Sequence, residues 1–135
     1  MTYHEESVKP YDDVLEDNCK SCVTREALNL IADKWTVLVI DALADGSRRY
    51  SQIHRSIGCI THKMLAQTLR RLERDGILER KVYAVVPPKT EYTLTGLGET
   101  LIAPIHAFFH WGEEHMASVE QARIDYDAAA EQDAS

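Results

Sequence analysis

Apolar residues recur every three or four positions between Arg25 and Gly46, which is the spacing of a helix with one buried face. The apolar stripe consists of Leu28, Ile31, Trp35, Leu38, Ala42 and Leu43. Asp33 and Lys34 interrupt it, so we expect the segment to divide there into two helices. The Asp45-Gly46 pair marks where the second of them ends.

Two shorter helices are predicted next, because each segment has a capping side chain at its start and a glycine near its end. Ser51 is placed to cap a helix that stops at Gly58, and Thr61 is placed to cap a second helix that runs to Asp75. Gly76 supplies the residue that ends this second helix. A short turn joins the two, as in a helix-turn-helix.

A β-hairpin and a long helix follow. Residues 77–86 are rich in β-branched and aromatic side chains, residues 87–90 form a turn, and residues 91–94 return as a second strand. Thr95 is placed to cap a long amphipathic helix that we expect to bend near Pro104. This order predicts a winged helix-turn-helix, a mainly α fold with a small β-hairpin wing (α+β), whose second short helix enters the DNA major groove.

The length of 135 residues allows one domain with tails, and 44% hydrophobic and 27% charged residues are typical of a globular protein. We predict an acidic arm over residues 1–21, the winged domain with a C-terminal dimerisation helix over residues 22–117, and an acidic tail over residues 118–135 that frays. Apolar runs stop well before the roughly 18 residues of a membrane span, and the first residues lack a signal pattern. We therefore expect a cytoplasmic protein with no membrane segment.

The formal charge of −7 hides an uneven distribution. Residues 48–92 hold ten basic and four acidic side chains, whereas the segments before and after them carry net charges of −6 and −7. Because charges are screened over about 8 Å at physiological salt, a ligand at the middle segment is affected mainly by the local positive excess. This segment favours a nucleic-acid partner.

The second short helix separates apolar and basic residues onto opposite faces, with Leu65, Leu69 and Leu72 on the apolar one. On the other, Lys63 and Gln67 are suited to hydrogen-bond base edges of a double-stranded DNA operator. Phosphate contacts are predicted for Thr61 and His62 at the helix start, for Arg70, Arg71 and Arg74 further along, and for Arg80, Lys81 and Lys89 of the hairpin, with Lys89 at its tip.

Apolar side chains cover more of the last helix than one small core requires, and such an excess is typical of an interface. We therefore predict a homodimer, which places two recognition helices about 34 Å or a multiple of it apart on an inverted-repeat operator. The predicted interface residues are Leu97, Leu101, Ile105, Phe108 and Phe109.

Cys19 and Cys22 form a Cys-x-x-Cys motif shortly before the first core helix, and three interpretations remain open. A redox switch would use a thiolate stabilised by the helix start and by Lys20 and Arg25, so an oxidant or electrophile would be the effector. A zinc site would need further ligands that one such motif does not supply. In the third interpretation both thiols are bystanders and a small molecule is the effector. Cys59 is expected to fill space in the core.

The sequence has no phosphate-cradling glycine loop, nucleophile elbow or His-Glu-x-x-His motif, so we predict neither an enzyme nor a cofactor. His106 and His110 are spaced to share a metal, but no third ligand follows a known pattern, and no metal site is predicted.

The alternative to a DNA-binding regulator is a winged-helix module that binds proteins. Such a module would carry apolar anchors where this helix carries Lys63, Gln67 and Arg70, so the charge favours DNA.

Motifs spread over residues 22–111 resemble those of the HxlR family of bacterial winged-helix transcription regulators. They are Cys22, then residues 27–36 (ALNLIADKWT), 46–53 (GSRRYSQI), 60–65 (ITHKML), 69–76 (LRRLERDG) and 82–95 (VYAVVPPKTEYTLT), followed by Gly98. The resemblance implies a dimeric DNA-binding regulator of the bacterial cytoplasm, often a repressor. In some members the cysteine ahead of the first core helix, here Cys22, senses electrophiles or oxidants. Ala32-Asp33 and Cys22-Val23 depart from the Gly-Gly and Cys-Pro pairs that are commoner in the family.

Overall fold

The computed structural model describes residues 19–134, so most of the predicted acidic arm lies outside the described residues. The elements in chain order are α1 (Cys19–Ile31), α2 (Lys34–Ala42), β1 (Arg48–Arg49), α3 (Tyr50–Ile57), α4 (His62–Arg74), β2 (Leu78–Tyr83), β3 (Lys89–Leu94), α5 (Gly96–Glu99) and α6 (Ile102–Ala134). The strands form one antiparallel sheet in the order β1-β3-β2. The fold is therefore mainly α with a small sheet, as predicted.

The predicted break at Asp33 is present, and its side chain explains it. Asp33 caps α2 by accepting a hydrogen bond from the amide of Trp35 at 2.9 Å. Helix α1 begins at Cys19, earlier than the apolar stripe that starts after Arg25. Both cysteines of the Cys-x-x-Cys motif therefore belong to α1 and do not precede it.

The two short helices follow the prediction except at one start. Thr61 caps α4 through its hydroxyl, as predicted. Helix α3 begins at Tyr50, so the predicted cap at Ser51 is wrong. The amide of Arg49 donates to the side-chain oxygen of Gln52 at 2.9 Å, and this bond starts the helix earlier.

The hairpin register also corrects the sequence analysis. Tyr83 lies opposite Lys89 and Leu78 lies opposite Leu94, so residues 84–88 form the tip of the wing. The predicted position of Lys89 at the tip is wrong, because Lys89 is the first residue of the returning strand. Strand β1 was not predicted, since its two residues are too few to show a periodic pattern.

The link between α4, the sheet and α5 is fixed by a close backbone approach. The hydroxyl of Thr95 donates to the carbonyl of Gly76 at 2.6 Å, and the amide of Thr95 donates to the carbonyl of Ile77 at 3.0 Å. Gly98 packs so closely on this segment that an added Cβ would collide with the carbonyl of Ile77. The wing is therefore anchored at the end of α4.

The end of the chain differs from the prediction. Thr95 caps the short α5, and the long α6 begins separately at Ile102. Pro104 therefore lies in the first turn of α6, where its missing N–H breaks no helical hydrogen bond, and the predicted bend there is replaced by a break before Ile102. Helix α6 continues to Ala134, so residues 118–134 are helical where a frayed tail was predicted. Neither α6 nor any other helix between residues 19 and 134 has the length and apolar character of a membrane span.

Candidate nucleic-acid interface

Helix α4 has one buried and one exposed face, as its sequence predicted. Leu65, Leu69 and Leu72 are buried together with Thr68. The exposed side carries four residues that we call the basic face: Lys63, Gln67, Arg70 and Arg74. Because the buried leucines pack on the opposite side of α4, the basic face is left in solvent, where an anionic partner can reach it.

Arg71 differs from its neighbours because its guanidinium is engaged within the chain. One nitrogen donates to a carboxylate oxygen of Asp33 at 3.0 Å and to the hydroxyl of buried Thr36 at 2.6 Å. Around the helix axis, Arg71 is turned by about 100° from Arg70. Arg71 therefore ties α4 to the start of α2, and its predicted phosphate contact stays a prediction.

The acidity of Asp33 reflects this link. Burial by itself would raise the pKa of Asp33, but hydrogen bonds from the Trp35 amide and from Arg71 outweigh burial and lower that pKa below its ordinary value. A carboxyl whose pKa is lowered by folding stabilises the protein above its unfolded-state pKa. That contribution is lost as the pH falls through the folded-state pKa. The ion pair between Asp33 and Arg71 therefore stabilises the fold at neutral pH.

We predict that Arg71→Ala lowers the free energy of unfolding by about 1–3 kcal/mol at neutral pH, because it removes a charged donor from two partly buried acceptors. Arg70→Ala, on the exposed basic face, should change it by less than about 0.5 kcal/mol. Urea unfolding of both variants measures the difference. At acidic pH the Arg71 effect should shrink as Asp33 is protonated, and equal stability of the two variants at neutral pH would contradict the assignment.

His62 lies at the exposed start of α4 and contacts two residues of α3. The hydroxyl of Tyr50 lies 3.2 Å from Nδ1 of His62 and donates to the carbonyl of His62 at 3.1 Å. The imidazoles of His54 and His62 are stacked, with ring centroids 4.1 Å apart and planes 6° from parallel. The Tyr50 ring lies 5.8 Å from His62. We call Tyr50, His54 and His62 the imidazole stack; the four-residue spacing of Tyr50 and His54 on α3 was its only sequence signal.

One face of the wing contains the predicted Lys81 and Lys89. Their ammonium groups lie 5.1 and 5.3 Å from the centroid of the Tyr83 ring. Glu91 accepts a hydrogen bond from Lys89 at 2.9 Å and another from the Tyr83 hydroxyl at 3.1 Å. The bond from Lys89 is the main reason that the pKa of Glu91 is below its ordinary value. The charge of Lys89 is thus partly neutralised within the wing, whereas Lys81 is exposed.

Arg80 lies on the other face of the wing and approaches the basic face. Its Nε is 3.9 Å from Glu73, and it pairs across the sheet with Tyr92, whose pKa is raised by burial. A recess of about 270 Å³ between α4 and the sheet is lined by both Arg70 and Arg80. The structure therefore brings these two predicted phosphate ligands to one place.

The five predicted interface residues divide into two groups. Phe108 and Leu97 are 67% and 59% exposed. Ile105 is buried, while Leu101 and Phe109 are half-buried against the core of their own chain. Phe108 lies on the rim of an apolar groove of about 370 Å³, lined by Leu28, Ile31, Ala32, Val37, Leu101, Pro104, Ile105 and Phe108.

The cysteines are only partly described. Cys19 and Cys22 lie in the first turn of α1, and their side chains are outside the described part of the chain, so redox sensing by either stays a prediction. Cys59 is exposed, so its predicted role as a core filler is wrong. The next residue, Ile60, fills the core instead and is 3% exposed.

The histidines of α6 contact carboxylates. His106 lies 2.9 Å from Asp41, and His110 lies 3.0 Å from Glu114. Among residues 23–134, whose side chains the structure describes, no three His, Cys, Asp or Glu side chains are close enough to hold a metal ion.

Two short helices with an exposed second helix, followed by an anchored hairpin, define a winged helix-turn-helix. The chain belongs to the HxlR family, since the HxlR-like helix-turn-helix family model matches residues 30–120. It is a transcriptional regulator of the helix-turn-helix type.

Named relatives agree with this class. The HTH-type transcriptional regulator YtfH of Escherichia coli (strain K12) is 42% identical over 104 residues, which cover 77% of this chain and 82% of the relative. The solved structure of the redox regulator HypR in its reduced form matches with a TM-score of 0.69 and 38% identity, covering 73% of this chain and 97% of that one. Diamide-treated YodB from Bacillus subtilis matches with a TM-score of 0.58 and 36% identity, covering 67% and 90%.

Proposed function

We propose that this regulator binds duplex DNA as a homodimer at an inverted-repeat operator and represses transcription in the cytoplasm. The observation that carries the proposal is the exposed basic face of α4, which lies beside the wing in a chain that is otherwise acidic. Lys63 and Gln67 lie in the first two turns of α4, where side chains reach base edges in the major groove. Arg70, Arg74 and Arg80 suit backbone phosphates.

The apolar groove supports the homodimer. Phe108 and Leu28 on its rim are 67% and 57% exposed, and an apolar surface of this kind is unfavourable in water. A second copy would cover the groove with the same helices, as in a two-fold interface where one patch contacts itself. The pairing also gives two basic faces, which match the two halves of an inverted repeat.

Selection from a library of genomic duplex fragments tests the proposal. The purified protein should enrich an inverted repeat whose half-sites are about 10 base pairs, or a multiple of that, apart. Affinity for this site should fall steeply as salt rises, because bound counterions are released from DNA. A reporter placed behind the site should be expressed less when the protein is present. Enrichment of no sequence would contradict DNA recognition, and higher reporter expression would contradict repression.

Cysteine sensing is the finer part of the proposal. Two of the similar solved structures are those of the redox regulator HypR and of YodB treated with diamide, which oxidises thiols. In this chain Cys22 lies in the first turn of α1, and the other end of α1 supplies Leu28 and Ile31 to the apolar groove. A disulfide or adduct at Cys22 can therefore shift the helix that lines the proposed interface.

We predict that diamide weakens operator binding by the wild type about tenfold or more, which needs a change of only about 1.4 kcal/mol between two dimer arrangements. Cys22→Ser should keep its affinity under the same treatment, and Cys19→Ser shows whether Cys19 is the resolving thiol. Cys59→Ser is the matched control, because this exposed thiol lies in the turn before α4. If Cys22→Ser responds as the wild type does, Cys22 is not the sensor, and a small-molecule effector becomes the better explanation.

A further inference from the structure

The imidazole stack determines which nitrogen of His62 carries a proton. The Tyr50 hydroxyl donates its single proton to the backbone carbonyl of His62 at 3.1 Å, an oxygen that can only accept. The oxygen of that hydroxyl also lies 3.2 Å from Nδ1 of His62, so Nδ1–H must be the donor in this second bond. A neutral His62 is thereby kept in the tautomer that has its lone pair on Nε2.

This tautomer prevents a neutral His62 from binding phosphate. Within residues 19–134, the hydrogen bonds of the His62 ring involve Nδ1 only, and the side chain is exposed at the start of α4. A phosphate oxygen accepts hydrogen bonds, so it is repelled by a lone pair on Nε2 and attracted by an N–H. Addition of one proton converts Nε2 to a donor and gives the ring a positive charge.

The neighbouring ring of His54 limits the stack to one proton. The two imidazole planes are nearly parallel at 4.1 Å, so a neutral His54 ring presents its π face to a charged His62. Two charged rings at that separation would repel each other. Only one of the two stacked rings can therefore carry a positive charge without this repulsion.

The carboxylates nearest to this cation already lie beside basic side chains of their own chain. The segment from Gly46 to Leu72, which includes α3 and all but the last two residues of α4, contains no Asp or Glu, and the first acid after it is Glu73 near the end of α4. The basic groups around the stack are Arg49 and Arg55 on the α3 side, Lys63 beside His62, Lys89 across the cavity under the wing tip, and Arg70 and Arg80 in the recess that Tyr50 also lines. The two acids are Glu91, which is occupied by Lys89, and Glu73, which lies in that recess 3.9 Å from Arg80. The other titratable groups are Tyr50, Cys59 and Tyr92. A DNA phosphate provides the missing counter-charge, so protonation and DNA binding favour each other.

We propose that His62, oriented by Tyr50 and stacked on His54, binds a DNA phosphate only as the imidazolium, so that a protomer whose His62 is neutral takes up a solvent proton at Nε2 when it makes this contact. The inference rests on the proposed DNA-binding function and adds a proton-dependent phosphate contact to it. Tyr50 is a positioning residue in this contact, because it acts through the tautomer of His62.

The test is the affinity for the selected operator at constant salt, with reductant present, from about pH 6 to about pH 8, where imidazoles titrate. The wild type should bind about tenfold more tightly per protomer at the lower pH, since a tenfold change in proton affinity on binding gives a tenfold change in DNA affinity. His62→Gln should lose this dependence, because the amide donates at every pH. Tyr50→Phe should flatten it by improving binding at the higher pH, since Nε2 of a neutral His62 is then free to carry the proton.

His54→Phe and His106→Gln are the controls, and both should keep the pH dependence. Calorimetry at the pH of largest uptake, in buffers of different ionisation enthalpy, should find about half a proton taken up per protomer by the wild type, which is the most that a tenfold change in proton affinity allows, and none by His62→Gln. Equal pH dependence in the wild type and His62→Gln, or none in the wild type, would overturn the inference while leaving DNA binding intact. Failure to bind duplex DNA at any pH would instead overturn the proposed function.

Discussion

Replacing Lys63 and Gln67 together by Ala is expected to weaken binding to the selected operator by about 2–6 kcal/mol for each protomer, because each good base contact contributes about 1–3 kcal/mol. Both side chains lie on the exposed face of α4 and neither is needed for the core. Binding to random duplex should change much less, since the phosphate ligands remain. Competition titrations of operator against random DNA measure the ratio of the two affinities, and we expect this ratio to fall towards one.

Arg70→Ala is the matched control on the same face. It should weaken binding to all sequences alike and reduce the slope of log affinity against log salt by about one for each protomer. The double variant should instead keep the salt slope while it loses preference at individual base pairs. A double variant that still distinguishes operator from random DNA as well as the wild type would show that α4 does not read bases.

Local sequence information predicted helix α4 well, because the features that define it lie within it or directly beside it. The Thr61 hydroxyl caps its first turn, the leucine stripe fixes which side is buried, and Gly76 follows its end with a φ of +76°. The basic face follows from the same periodicity. No contact from elsewhere in the chain is needed to predict these features.

Contacts between distant segments explain what the sequence did not predict. In the sequence, Arg71 cannot be distinguished from the other basic residues of its helix. Only the fold brings it to Asp33, which lies 38 positions earlier. Strand β1 exists because β3 pairs with it, and the bond from Arg48 to the carbonyl of Ala42 at 2.8 Å holds its start. The imidazole stack likewise forms only when the fold brings α3 and α4 together, because His54 and His62 lie on different helices.

Phe108→Glu is expected to raise the dissociation constant of the dimer by about 100-fold or more, because burial of a phenylalanine stabilises by roughly 2–3 kcal/mol and a buried unpaired carboxylate costs further. Phe108 is the better probe of the interface than Phe109, since Phe109 packs on the core of its own chain and its loss would also destabilise the fold. Phe108→Leu is the matched control and should remain dimeric. Sedimentation at micromolar concentration distinguishes the two variants.

Loss of the dimer should change DNA binding in a specific way. The Phe108→Glu monomer keeps an intact basic face, so it should bind one half-site, and the gain from binding two linked half-sites, about 10² to 10⁴, should disappear. Because a monomer contacts half as many phosphates, the slope of log affinity against log salt should also fall to about half. A Phe108→Glu protein that stays dimeric, or a monomer that retains the full salt slope on the inverted repeat, would show that the apolar groove is not the interface that pairs the recognition helices.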